Sequence, residues 1–244
     1  MSKVKVPLTT NPRFQKEAAE IALQMSQFSV DELERLLRVN AKIAVENYKR
    51  YQAFHAEATP ELPALLAYTG IVFKRLNPKD FSAEDFGYAQ EHLRLTSFCY
   101  GLLRPLDVIR AYRLEGDVVL PELGNQTLFS YWRSRLTDTF IEDIRSAGGI
   151  LCNLASDEMK SLFDWKRVES EVRVVTPEFH VWKNGKLATI VVYTKMSRGE
   201  MTRFILKNKI GNPEELKGFS WEGFEFDESL SDERKLVFIN GMGE

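Results

Sequence analysis

Guanidinium groups held on constrained turns recognise phosphate or carboxylate through paired hydrogen bonds, and one stretch of this 244-residue chain concentrates them. Residues 92–115, HLRLTSFCYGLLRPLDVIRAYRLE, interleave Arg94, Arg104 and Arg113 with Tyr100, Gly101, Pro105 and Tyr112. Proline and glycine prevent this segment from staying one straight helix. Two outcomes are open for it: an anion site, or arginines that pair with Asp107 and Glu115 and brace a loop. Residues 195–203, KMSRGEMTR, form a second cluster. A strand is predicted to end at Lys195, and Ser197 with Glu200 fits a capping box that opens the next helix. The amides at that helix start, beside Lys195 and Arg198, would make a natural anion site. Arg203 lies five positions beyond Arg198, roughly 140° around a helix, so the two need not share a face. Residues 31–51 give a third candidate, two short helices joined through Val39-Asn40-Ala41 in the manner of a helix-hairpin-helix. Such a hairpin holds a DNA phosphate on backbone amides without reading bases, and Arg38, Lys42, Lys49 and Arg50 would supply neighbouring contacts. The usual Gly-hydrophobic-Gly turn is missing and Asn40 is the one residue suited to a left-handed conformation, so an ordinary helical hairpin is the competing outcome.

Other chemistry has thinner support. His55, His92 and His180 are far apart in sequence, without HExxH or CxxC spacing. There is no GxSxG, no GxGxxG and no P-loop pattern. Cys99 and Cys152 sit alone in apolar surroundings and read as core thiols. No catalytic residue, metal ligand or cofactor is therefore assigned.

The elements that must position these residues are helical first and sheet-rich later. Asn11 can cap a helix with Pro12 at its first position, and Ser29 or Asp31 starts a second. Ser82 with Asp85 suggests a helix running to about Phe98. Phe129, Trp132, Leu136, Phe140 and Ile144 form a helical stripe closed by Gly148-Gly149. Strands are predicted at 150–154, 172–182, 187–195, 224–226 and 236–239, with Asn184-Gly185 turning a hairpin. The stretch 183–209 carries seven basic residues against Glu200 alone, whereas 211–244 carries nine acids against three bases. The net charge of −2 thus hides local basic surface able to steer an anion, or merely solvated faces. With 44% hydrophobic residues, 14 Gly, 9 Pro and 2 Cys, the chain is neither disordered, collagenous nor a disulfide scaffold. No apolar run approaches the roughly 20 residues of a membrane span, and no signal peptide is visible at the N-terminus. A single mixed α/β domain over 1–244, cytoplasmic and reduced, is the expectation.

Together these segments resemble a known family. The 92–115 run is similar to the HLR-LSGLYG-LRPLD-PYRLEMG core of the bacterial YaaA proteins, followed in order by TLFSYWRSRLT, NLASDE, TKMSRGEMTRFILKN and LKGFSWEGFEF. The resemblance implies a peroxide-stress-resistance protein that limits free intracellular iron and oxidative damage. It implies one α/β domain with a barrel-like sheet wrapped by helices, an N-terminal helix-hairpin-helix, and a basic cleft linked to duplex DNA. Motif positions that would line the cleft are His92, Arg94, Tyr100, Gly101, Arg104, Tyr112, Arg113, Asn153, Ser156, Lys195, Arg198, Gly199 and Arg203. An enzyme acting on a nucleotide or other phosphorylated small molecule in the same cleft is the alternative. This chain departs from the pattern at Ala111, where the family has proline, and at Gly116-Asp117, where it has Met-Gly. The family also opens with a strand bearing a Ser-Pro-Ala-Lys-Thr-like motif, whereas this sequence starts near PLTT. Either that strand is lost, which is expected to leave an exposed, association-prone sheet edge, or the start is assigned downstream of it.

Overall fold

Local caps set the starts of α2, α3 and α6 in the computed structural model, which describes residues 4–183 and 185–241. In chain order the helices are α1 (Gln15–Met25), α2 (Val30–Leu36), α3 (Ala41–Ala53), α4 (Ala64–Ala67), α5 (Ile71–Leu76), α6 (Ala83–His92), α7 (Leu128–Ser146), α8 (Asp157–Lys160), α9 (Trp165–Glu171) and α10 (Val191–Asn208). The strands are β1 (Glu61–Pro63), β2 (Leu95–Ser97), β3 (Gly101–Leu103), β4 (Val108–Arg110), β5 (Val119–Leu120), β6 (Gln126–Thr127), β7 (Ile150–Cys152), β8 (Arg173–Lys183), β9 (Lys186–Ala188), β10 (Phe224–Asp227) and β11 (Lys235–Asn240). The chain is mixed α/β, and its contacts separate two compact units.

The first unit comprises the described residues through Ala67, with Leu93–Phe140 and Asp157–Trp165. Ser29 and Glu32 form a reciprocal capping box at the start of α2, satisfying amides that a helix end leaves open. Ile21, Met25, Leu33, Leu37, Tyr51 and Trp132 are buried in this unit. The Trp132 indole donates to the Phe98 carbonyl at 2.8 Å, and the Tyr51 hydroxyl donates to the Arg113 carbonyl at 2.6 Å. Small antiparallel pairs, β1 with β4, β2 with β3 and β5 with β6, complete it. Gly101 has φ +69°, and an added Cβ would stand 2.7 Å from the Trp132 ring, so both backbone and space require glycine there.

The second unit comprises Tyr68–His92, Ile141–Ser156 and the described residues from Lys166 onward. Its sheet runs β10-β11-β8-β7, with β9 folded back on β8. β7, β8 and β11 are mutually parallel along this path, while β9 and β10 pair antiparallel. Phe179, Phe219, Phe224, Leu236 and Phe238 build the core with Met201 from α10. Tyr88 anchors α6 through a 3.0 Å hydrogen bond to the Ile210 carbonyl.

Several sequence expectations are corrected. The first helix starts at Gln15 behind Phe14, with no side-chain cap; residues at its approach are drawn instead into pairing of Thr10 with Leu106 and Val108. Helix α6 stops at His92, because Leu95–Ser97 pair with Gly101–Leu103 as a hairpin. The strand expected through Lys195 ends at Ala188, and α10 begins at Val191. Burial of Ser197, Gly199, Met201 and Leu206 along one helix overrides the strand preference of Val191 and Val192. Among the described residues no sheet closes into a barrel, since the five-stranded path has two open ends at β10 and β7. The predicted hairpin after β8 does form, with Trp182 opposite Leu187, although Asn184 of its turn lies outside the described residues. No helix among the described residues is long and apolar enough to cross a membrane.

Gly199 shows how tightly α10 packs in the second unit. A Cβ there would lie 2.3 Å from the Val72 carbonyl oxygen and 2.8 Å from Arg75 Cβ, both on α5. Helix propensity alone would favour alanine by about 1 kcal/mol, but overpacking against backbone typically costs about 1–3 kcal/mol. Gly199→Ala is therefore expected to lower stability in urea unfolding by up to about 2 kcal/mol. A stabilised variant would show that α5 moves away freely.

Candidate functional site

Asp107 organises the Arg104–Asp107 turn. Its carboxylate is 1% exposed, accepting the Thr10 hydroxyl at 2.6 Å, the Arg104 amide at 2.8 Å and Arg104 Nη2 at 3.1 Å. A carboxylate is tolerated at such depth only when hydrogen bonds replace its water. Nearby, Ser97 Oγ accepts the Tyr100 amide at 2.8 Å and shares a 2.6 Å hydrogen bond with the Tyr112 hydroxyl. The Tyr100 and Tyr112 rings meet edge to face at 5.7 Å, and the Tyr100 hydroxyl accepts the Arg110 amide at 3.0 Å. Arg113 pairs with Glu115 at 3.0 Å, and Arg94 donates to the Leu93 carbonyl at 3.0 Å. The bracing alternative is thus realised for Arg104 and Arg113, and Tyr100 and Tyr112 are brought together. Arg110, outside the expected site, ion-pairs with Glu61 at 2.9 Å.

In the same unit α2 and α3 form the expected helical hairpin, with a different turn. Arg38, not Asn40, adopts the left-handed conformation, at φ +50°. Asn40 is extended and caps α3, its side-chain oxygen accepting the Ile43 amide at 3.0 Å. The reason is positional: an N-cap residue needs extended backbone, which leaves the reversal to a residue before it. Arg38 forms an ion pair with Asp117, while Lys42 is exposed at the start of α3. Between Arg35 and Val45 there is no acidic residue, so the turn end of the hairpin is basic.

In the second unit the expected helix start at Ser197 is overturned. Ser197 is fully buried inside α10 and Lys195 and Arg198 lie on the same helix, so no row of open amides faces them. Arg203 instead makes a two-pronged contact with Asp80, at 2.8 and 2.6 Å, and donates to the Leu76 and Asn77 carbonyls. Lys207 reaches Asp85 at 2.7 Å, whose other role is the reciprocal cap with Ser82. Arg75 faces Glu200 at 3.7 Å and covers the Trp221 ring. Sequence reasoning missed Arg75, Asp80 and Lys207; only the i, i+4 spacing of Arg203 and Lys207 on one helix face hinted at a shared strip. Among the described residues no three His, Cys, Asp or Glu side chains converge as a metal site.

This network has a pH signature. The Arg203 hydrogen bonds hold Asp80 below its ordinary 3.8. Burial pushes Asp85 up, but the bonds from Lys207 and Ser82 outweigh it and leave Asp85 lowered as well. Both carboxylates thus contribute stability that is present above about 3.8 and lost as pH falls further through their folded values. Lys207→Met is expected to raise the pH midpoint of acid unfolding and to cost about 1–3 kcal/mol at neutral pH, because Asp85 loses a charged donor. An unchanged midpoint would show that the pair contributes nothing.

The sequence profile of the family described as peroxide stress protein YaaA matches residues 1–230. A UPF0246 protein of Bacteroides thetaiotaomicron is 98% identical over 244 residues, covering all of this chain and 95% of that protein. A UPF0246 protein of Bacteroides fragilis is 78% identical, with 100% and 95% covered. One from the more distant Crocosphaera subtropica is 37% identical over 235 residues, with 96% and 92% covered. The tyrosine pair, the Asp107-held turn and the Arg203 brace all fall inside the matched span, and the chain belongs to the peroxide stress protein YaaA family.

Proposed function

We propose that this chain binds the phosphate backbone of duplex DNA and thereby limits iron-dependent oxidative damage in the cytoplasm. The observation that carries the proposal is the basic turn of the α2–α3 hairpin, where Arg35, Arg38 and Lys42 occur with no acid from residue 35 to 45. The amide-rich start of the 13-residue α3 lies behind that turn, and helix starts favour anions. In the other unit, Lys195 is exposed on α10, within the basic stretch 183–209. Chemically, ferrous ion gives one electron to hydrogen peroxide, which splits into hydroxide and a hydroxyl radical. Cations that neutralise DNA phosphates are released when lysine and arginine take their place. A bound protein therefore removes ferrous ion from the strand it covers, an indirect link to iron that needs no metal site in the chain.

The salt dependence of binding tests this. Log affinity for a duplex of mixed sequence is expected to fall linearly with log salt, by about 0.9 per phosphate neutralised, and to vary little with sequence. Lys42→Ala should flatten the slope by nearly one such increment, and Arg38→Ala by less, because Arg38 already pairs with Asp117. Binding that ignores salt, or is absent at low salt, refutes the electrostatic account.

Thiol chemistry is expected to play no part. Burial pushes the Cys99 thiol far above its ordinary range and Cys152 up to about 12. A thiol at that value is about one part in 10⁵ thiolate at neutral pH, and the thiolate is the form that attacks peroxide. Native protein should therefore take up iodoacetamide slowly, with rapid labelling only after denaturation. Fast native labelling, or sulfenic acid at Cys99 or Cys152 under peroxide, would assign them a sensing role.

A further inference from the structure

Beside the hairpin turn lies a depression of about 390 Å³ with apolar walls from Phe28, Leu36 and Val118 and two guanidiniums, Arg35 and Arg38, at its rim. Two carboxylates also line it. Glu32 is committed to the α2 cap, accepting the Ser29 amide at 2.8 Å and the Ser29 hydroxyl at 2.7 Å. Asp117 is not part of any cap; it comes from a loop 79 residues away in sequence and meets Arg38 Nη2 directly. Both partners are open to water, Arg38 at 71% and Asp117 at 42% side-chain exposure. An exposed pair of this kind is weak and exchanges readily with other ions. A carboxylate and a phosphodiester ask the same thing of a guanidinium, two acceptor oxygens in one plane with its fork.

We propose that Asp117 stands in for a DNA phosphate on Arg38, so that the chain carries its own competitor at the hairpin and a phosphate binds there by displacing it. The proposal rests on the DNA reading above and adds to it a self-masking device. Arg35 and Lys42 set the direction of the exchange. A single carboxylate meets their combined field once, whereas a duplex presents a row of phosphates to all three cations. Displacement is therefore favoured by a polyanion and not by an isolated small anion. The loop also brings Glu115 near Arg38, already engaged by Arg113, so the masking charge at first order is that of Asp117 alone.

A double-mutant cycle on the full chain tests this, read by polarisation of a short labelled duplex at fixed low salt. Asp117→Asn is expected to tighten binding about two- to fivefold and to steepen the salt slope by up to about 0.9, as Arg38 becomes fully available. The same change in an Arg38→Ala background should bring no gain. Asp31→Asn, which removes an equal charge from exposed α2, should give a clearly smaller gain in either background. Melting temperatures of all variants should stay close to the parent, since the pair is exposed. Unchanged affinity for Asp117→Asn, a gain that survives Arg38→Ala, or an equal gain from Asp31→Asn each overturns the masking proposal. If Arg38→Ala still weakens binding in those cases, the DNA reading stands without it. If neither the parent chain nor Asp117→Asn binds duplex at low salt, both fall together.

Discussion

A carboxylate at 1% exposure, Asp107, is the constraint on which the first unit depends. Its two oxygens accept three hydrogen bonds, from the Thr10 hydroxyl, the Arg104 amide and the Arg104 guanidinium. The main chain of the same turn is equally committed: the Asp107 carbonyl accepts the Ala64 amide at 2.8 Å, and Pro105 accepts Leu65 at 3.0 Å. Thr10 is held on both sides, donating to Leu106 at 2.9 Å and accepting from Val108 at 2.8 Å. One short turn thereby fixes the approach to α1, the start of α4 and the entry to β4. Removing the charge would strand several donors at once, which is far more costly than losing one exposed pair.

Beyond that turn the consequences run through buried groups. β4 presents the Arg110 amide to the Tyr100 hydroxyl, and Tyr100 in turn rests on Ser97 and Tyr112. Gly101 allows the chain to reverse against the Trp132 ring, where no side chain fits. The CYG-LRPLD-YRLE pattern is in this sense a packing specification first. Tyr100 satisfies a backbone amide and Tyr112 bonds the Ser97 hydroxyl, the glycine clears an indole, and the aspartate closes the turn.

How much of this was legible in the sequence follows from the distance between partners. Ser82 with Asp85, three residues apart, forms the cap its spacing predicts, and of the two starts open for α2 it is Ser29 that caps, with Glu32 three residues on. Arg104 with Asp107 and Arg113 with Glu115 were also within reach of local reasoning, as the bracing alternative. Arg203 with Asp80 spans 123 positions and Arg38 with Asp117 spans 79, and nothing local announces either. The start of α10 was misplaced for a related reason. Ser197-x-x-Glu200 has the form of a cap, but Ser197 is buried in mid-helix and Gly199 meets α5, so tertiary packing decides against the local motif. At the hairpin the left-handed position fell to Arg38 because Asn40 was already needed as a cap.

The candidate cations can then be ordered by what holds them, since every arginine in the family motifs carries the same charge. Arg104 is tied to a carboxylate with almost no access to water; prising it away for a ligand would leave Asp107 buried and short of a donor, a penalty of several kcal/mol on the order of a broken buried pair. Arg203 has a more exposed partner, but it holds Asp80 with both prongs and caps two carbonyls besides, so a ligand would have to replace four contacts. Arg113 and Arg38 each face a single, partly exposed carboxylate, where exchange for a phosphate costs about as little as a surface pair contributes, 0–1 kcal/mol. Arg38 alone of these two sits in a run of residues free of acids with further cations on either side. The geometry therefore separates arginines held by buried or multiple contacts from those that face one partly exposed carboxylate, and Arg38 at the α2–α3 turn belongs to the second group.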